Sequence, residues 1–251
     1  MEYFDGFDGA KLALHRIGPK TGGGRPLVLL HGLFSSAEMN WIKWGHAATL
    51  AEAGFEVLIP DLRAHGHSAA PHDAAAYPGD VLALDLAALI GQLGLSDYDL
   101  GGFSLGARTA VRGVIGGLTP ARLMLGGMGL EGLAGWTGRQ SFFIDAIDRF
   151  DSIKHGDPAY FAVQFMKSMK VDRVAARLLL GTMTDTPPEA LAAVTMPTLV
   201  VCGAEDRDNG SPGQLVAALP EAQLVVIPGT HMSCVTTPDL GTAMRDFLTP
   251  N

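Results

Sequence analysis

The chain has little positive charge. Its 18 lysines and arginines are outnumbered by 26 aspartates and glutamates, for a formal net charge of −8. The basic residues are scattered, without a run or a cluster. Nucleic acid is therefore not an expected partner, because a phosphate backbone is held by a basic surface. Cysteine is scarcer still. The two present, Cys202 and Cys234, have no metal-binding spacing, and two free thiols are expected. No uninterrupted apolar run reaches the ~18 residues that a membrane span needs. The N-terminal MEYFDGFDGA is polar and acidic, with neither the basic start nor the apolar centre of a signal peptide. A cytoplasmic protein is the expectation, as a monomer or a homodimer.

Apolar side chains are plentiful, at 47% of 251 residues. A chain of this length buries roughly 70–75% of the surface its unfolded form exposes, enough for one large core. The apolar residues fall into short continuous runs, several of them closed by glycine: PLVLLHG (26–32), EVLIPDLRAHG (56–66), YDLGGFS (98–104), RLMLGG (122–127), TLVVCG (198–203) and QLVVIPG (223–229). Such runs suit strands buried on both faces, as in a parallel sheet. Helix-length segments alternate with them at 38–52, 79–94, 105–116, 211–218 and 236–248. Ahead of the series, residues 2–5 and 11–17 read as a hairpin turning at Asp8-Gly9. The fold class is α/β: a mostly parallel twisted sheet of about eight strands with helices on both faces.

Residues 130–195 break the alternation. They carry amphipathic helical segments, no convincing strand, and the densest methionine and aromatic content of the chain. They read as a small helical insertion over a core made of 1–129 and 196–251.

GGFSLG (101–106) sets Ser104 between two glycines where a strand run meets a helical segment. A G-x-S-x-G turn at such a junction exposes the serine oxygen above the sheet edge. A serine hydroxyl attacks only when a base takes its proton. Of the eight histidines, only His231 follows the last strand run. The base needs an acid to fix its tautomer. Past the penultimate strand, GAEDRD offers Glu205, Asp206 and Asp208. Asp206 has the best placement and the other two suit solvated loop positions. Glu131, just beyond the strand at 122–127, is the rival.

LLHGLF (29–34), DLRAHGHS (61–68), GFSLG (102–106), GAED (203–206) and PGTH (228–231) occur in an order that resembles the α/β-hydrolase fold, esterase and lipase type. The resemblance spans nearly the whole chain. It implies a Ser104–Asp206–His231 triad and a cap formed by the insertion. It also implies an oxyanion hole from the backbone N–H groups of Leu33 and Leu105, with Phe34 the alternative donor. The Phe34 ring, Phe142, Phe165 and Met169 are the expected substrate contacts. His31 is expected to orient its loop by hydrogen bonding. Asp61, His65 and His67 lie close enough in sequence to invite a metal reading, but the similar segment in this fold is a structural loop, so no metal and no cofactor is expected. That segment is usually written with glycine where this chain has Ala64.

The implied activity is hydrolysis of a small-molecule carboxylic ester through an acyl-enzyme. The same triad serves thioesters, lactones and some carbon–carbon bonds, and the fold does not choose among them. A non-catalytic ligand-binding member of the fold is the alternative from another class. Ser104 argues against the dehalogenases and epoxide hydrolases of this fold, whose nucleophile is aspartate.

Overall fold

The computed structural model describes residues 1–250. Eight strands form one sheet: β1 (Glu2–Asp5), β2 (Lys11–Ile17), β3 (Arg25–Leu30), β4 (Phe55–Pro60), β5 (Asp99–Phe103), β6 (Leu123–Gly126), β7 (Thr198–Gly203) and β8 (Ala222–Ile227). Their order across the sheet is β1-β2-β4-β3-β5-β6-β7-β8. The hairpin β1–β2 and the β2–β4 pair are antiparallel, and every later pairing is parallel. The continuous apolar runs are explained by position. All five residues of β5 and all six of β7 are buried, because helices cover both sides.

The helices are α1 (His46–Glu52), α2 (Val81–Gln92), α3 (Leu105–Ile115), α4 (Leu130–Ala134), α5 (Trp136–Asp148), α6 (Tyr160–Ser168), α7 (Arg173–Leu180), α8 (Pro212–Ala218) and α9 (Asp239–Leu248). Leu50 of α1 and Leu240 and Met244 of α9 pack with Leu27, Val57 and Val201 on one face of the sheet. Leu86 of α2, Val111 of α3 and Leu215 of α8 share the opposite core with Val28, Leu100 and Val200. Helices α4–α7 and a 3₁₀ turn at Pro188–Ala193 fill the interval between β6 and β7, which contains no strand. Among the described residues, no helix is long and apolar enough to cross a membrane.

One expected helix divides. Residues 38–52 form a wide π-type turn at Glu38–Ile42 and then α1, because Gly45 adopts a left-handed φ of 82° between them. Both cysteines are buried free thiols.

The strand order reverses at β3, which lies between β4 and β5. Ligands of open α/β sheets bind at such a switch point, beyond the carboxyl ends of the strands. Here the loops after β3 and β4 are locked by two buried imidazoles. His31 Nε2 accepts the Leu62 N–H at 2.9 Å, and its Nδ1 donates to Gly32 O at 2.9 Å. His65 Nε2 accepts the Phe34 N–H at 3.0 Å, and its Nδ1 donates to Arg63 O at 2.9 Å. A backbone N–H can only donate, so each Nε2 must be bare and each ring neutral. The rings meet edge to face, with centroids 5.1 Å apart. Burial, helped by the neighbouring His31, pushes the His65 pKa down to about 3, and burial also lowers that of His31. Ala64, in the same loop, holds a left-handed φ of 66°. This explains why the position is usually glycine; an alanine there carries a steric cost of ~1–2 kcal/mol.

This lock predicts acid sensitivity. The folded pKa of His65 lies below its unfolded value of about 6.5, so its stabilisation is complete above that pH and is lost as pH falls toward 3. Urea unfolding measured from neutral pH to pH ~4 should give a stability that declines with acid. The slope in His65→Gln should be shallower by up to ~1.4 kcal/mol per pH unit, one proton's worth. Equal slopes in the two proteins would contradict the lock.

Candidate active site

Ser104 occupies the turn between β5 and α3 at φ 53° and ψ −111°. A non-glycine residue held there is strained and persists only when its surroundings fix it. Two contacts do so. The Ser104 N–H donates to Gly126 O at 2.8 Å, and its carbonyl accepts the Arg108 N–H at 3.0 Å. The flanking glycines are required by space. A Cβ on Gly102 would lie 2.2 Å from the Gly106 carbonyl carbon, and one on Gly106 would lie 2.2 Å from Leu30 O.

His231 follows β8, and its Nδ1 lies 2.8 Å from Asp206 Oδ2. A carboxylate only accepts, so Nδ1 carries a proton, and in the neutral ring Nε2 is the nitrogen with the free lone pair. Asp206 is buried, whereas Glu205 and Asp208 on the same loop are exposed. Burial pushes the Asp206 carboxyl up, but the His231 hydrogen bond and charge, with the Asp208 N–H at 3.0 Å on Oδ1, hold it below the usual carboxylate range. The rival Glu131 is exposed on α4, with its side chain against Gly210.

Ser104 and His231 front one cavity of about 980 Å³, which Leu33 and Leu105 also line. No hydrogen bond joins the serine hydroxyl to the imidazole among the described residues. Such bonds often tighten only around a bound substrate. Among the described residues, neither the Leu33 nor the Leu105 N–H donates to a protein acceptor. The Phe34 N–H is committed to His65, which removes it as an alternative donor, while its ring lines the cavity. Phe142 and Phe165 line the cavity, together with Trp136, Phe143 and Phe161.

Met169 does not line it. Helix α6 ends at Ser168 and turns Phe161, Ala162 and Phe165 toward the cavity. Met169 lies a further four residues along, about 6 Å of helix rise past Phe165.

Two asparagines complete the site. Asn40 Oδ1 accepts the Gly32 N–H at 3.0 Å, and its Nδ2 is buried without a partner at the cavity wall. Asn209 Nδ2 donates to Gly127 O at 2.7 Å and its Oδ1 accepts from Arg139, joining the loops after β6 and β7 to α5. Asn40 stands between Met39 and Trp41 in EMNWI, a local sequence that carried no signal of this role. The grouping of Asp61, His65 and His67 does not form. His65 turns to Phe34, and His15 from β2 approaches Asp61 and His67 in its place.

The comparisons with known proteins agree with this architecture. A hydrolase from Pseudomonas aeruginosa PA01 superposes with a TM-score of 0.79 at 23% identity, covering 98% of this chain and 97% of that one. The enol-lactonase of Burkholderia xenovorans LB400 gives 0.76 at 21% identity, covering 98% and 99%. A thermophilic esterase from Thermogutta terrifontis gives 0.75 at 23% identity, covering 98% and 97%. At such identities these likenesses carry the fold. The profile of the alpha/beta hydrolase family matches residues 27–240, most of the sequence, and the chain belongs to that family.

Proposed function

We propose that the protein is a serine hydrolase that cleaves small-molecule carboxylic esters. The observation that carries this reading is the placement of a strained Ser104 and an Asp206-paired His231 on one cavity beside two unengaged backbone N–H groups. Ser104 Oγ attacks the ester carbonyl while His231 Nε2 takes its proton. The carbonyl oxygen, now negative, is held by the Leu33 and Leu105 N–H groups. Such donors act where charge develops, and one is typically worth ~3–4 kcal/mol of barrier. Asp206 holds the imidazole in the required tautomer and stabilises the imidazolium. The tetrahedral adduct collapses, His231 protonates the leaving alcohol, and the acyl group stays on Ser104. Water then attacks the acyl carbonyl, giving its proton to His231. Collapse releases the acid and returns the proton to Ser104. These steps need no cofactor.

Residues 130–195 serve as the cap. Their aromatic side chains form the roof and walls of the cavity, which suits an apolar or aromatic acyl group. A lactone is a cyclic ester and fits the same steps, and an enol-lactonase is among the proteins that share this fold.

Ser104→Ala should lower turnover of p-nitrophenyl esters by roughly 10⁴-fold or more with little change in melting temperature. Asp206→Asn should cost about 10³–10⁴-fold, because an amide does not hold the tautomer, while Glu131→Gln and Glu205→Gln stay within a fewfold. Wild-type turnover in Ser104→Ala, or a larger loss in Glu131→Gln than in Asp206→Asn, would contradict the assignment.

The roof should set substrate preference. With a buried methylene worth ~0.8 kcal/mol, Phe142→Ala and Phe165→Ala should each shift the kcat/KM ratio between short, medium and aromatic esters by a fewfold to tens-fold. Met169→Ala should leave those ratios unchanged. Equal loss on every ester in the two phenylalanine variants would show that the roof acts only in folding.

A further inference from the structure

The hairpin and the loop after β4 bring together three side chains that take no part in the site above. His15 pairs across the ladder with Ile59, and the Asp61 N–H extends that ladder by donating to Ala13 O at 2.9 Å. His15 and Asp61 are thus diagonal neighbours on one face. The loop then folds back so that the His67 N–H donates to Asp61 Oδ2 at 2.9 Å. One candidate ligand atom from each of His15, Asp61 and His67 lies within 4.8 Å of those of the other two.

The spacing is informative. His15 Nε2 lies 3.6 Å from Asp61 Oδ2, and His67 Nδ1 lies 3.4 Å from it. The first separation is too long for a hydrogen bond and the second is at the edge of one. A tetrahedral zinc site with bonds of ~2.0–2.2 Å has ligand–ligand edges of roughly 3.3–3.6 Å. His15 Nε2 is closed off from solvent and has no hydrogen-bond partner. Buried ring nitrogens are rarely left in that state. Asp61 is itself oriented from behind, since its Oδ1 accepts the Ala37 N–H at 2.8 Å. Metal-ligating groups are commonly fixed by such a second partner. The His67 side chain is 63% exposed, which leaves an entry path and a position for water.

We propose that His15, Asp61 and His67 form a binding site for one divalent transition-metal ion of the zinc class. Two imidazoles and one carboxylate suit such an ion, whereas calcium and magnesium prefer all-oxygen sets. The ion would clamp β2 to the loop after β4. Through Asp61 it would also reach the Ala37 N–H, in the loop that carries Leu33. The site is independent of the ester chemistry proposed above, and it departs from the expectation of a metal-free chain because His15 is supplied by the hairpin.

The test is calorimetric titration of zinc into chelator-stripped full-length protein near neutral pH. One zinc per chain is expected. His15→Ala and His67→Ala should each weaken binding by roughly tenfold or more, the least that loss of a direct ligand costs where loss of an outer partner costs 10–100-fold. His72→Ala, which alters an exposed histidine paired with Asp172, should leave the affinity unchanged. Cobalt should give tetrahedral visible bands with the wild type that disappear in both cluster variants. Because His67 is exposed, its alanine variant tests the site even if His15→Ala folds poorly. No binding at excess zinc, or wild-type affinity in His67→Ala, overturns the proposal.

Discussion

The arrangement rests on one close approach. The first turn of α3 lies against the end of β3 so tightly that a single methyl group on Gly106 would meet the Leu30 carbonyl oxygen. That contact fixes where α3 begins, and thus the sharp turn at Ser104. It also sets β5 and β3 side by side with their loops abutting, so Leu105 after one strand and Leu33 after the other line the same cavity. A side chain at Gly102 or Gly106 would push the helix off the sheet and relax the serine. Close packing leaves no slack to absorb that displacement.

Histidine meets three kinds of surroundings in this structure. His31 and His65 are neutral because each accepts a backbone N–H and is buried. They hold the loops after β3 and β4 in register. His231 has a carboxylate on one nitrogen and the cavity on the other, the arrangement a general base requires. His15 has neither a backbone donor nor a close carboxylate bond, and its orphaned nitrogen is what points to a ligand. The same side chain is thus a structural acceptor at His31 and His65, and in the roles proposed here a base at His231 and a metal ligand at His15, according to its neighbours.

Much of this was legible in the sequence, because buried parallel strands are continuous apolar runs and the serine turn has a rigid spacing. TLVVCG and YDLGGFS mark β7 and β5 within a residue or two. The alternation also isolated the helical interval between β6 and β7. What escaped depends on contacts between distant segments. Asn40 and His15 have ordinary local sequence, and only the folded loop after β3 and the β2–β4 ladder bring Gly32 to the one and Asp61 near the other. The interruption at Gly45 was hidden because the apolar spacing on either side of it stays helical. Met169 was misplaced for a related reason. Its spacing from Phe161 and Phe165 is helical, and its N–H still bonds to Phe165 O, but it lies a further turn along, past the end of the cavity.

The central claim is that Ser104 is a nucleophile activated by His231. Incubation with a fluorophosphonate ester, followed by intact-mass and peptide analysis, addresses it directly. An activated serine oxygen attacks the phosphorus and expels fluoride, leaving a stable covalent phosphonyl adduct. The account predicts one phosphonyl group per chain, located on Ser104, with labelling greatly slowed in His231→Ala. An unlabelled protein, or an adduct on another residue, would contradict it.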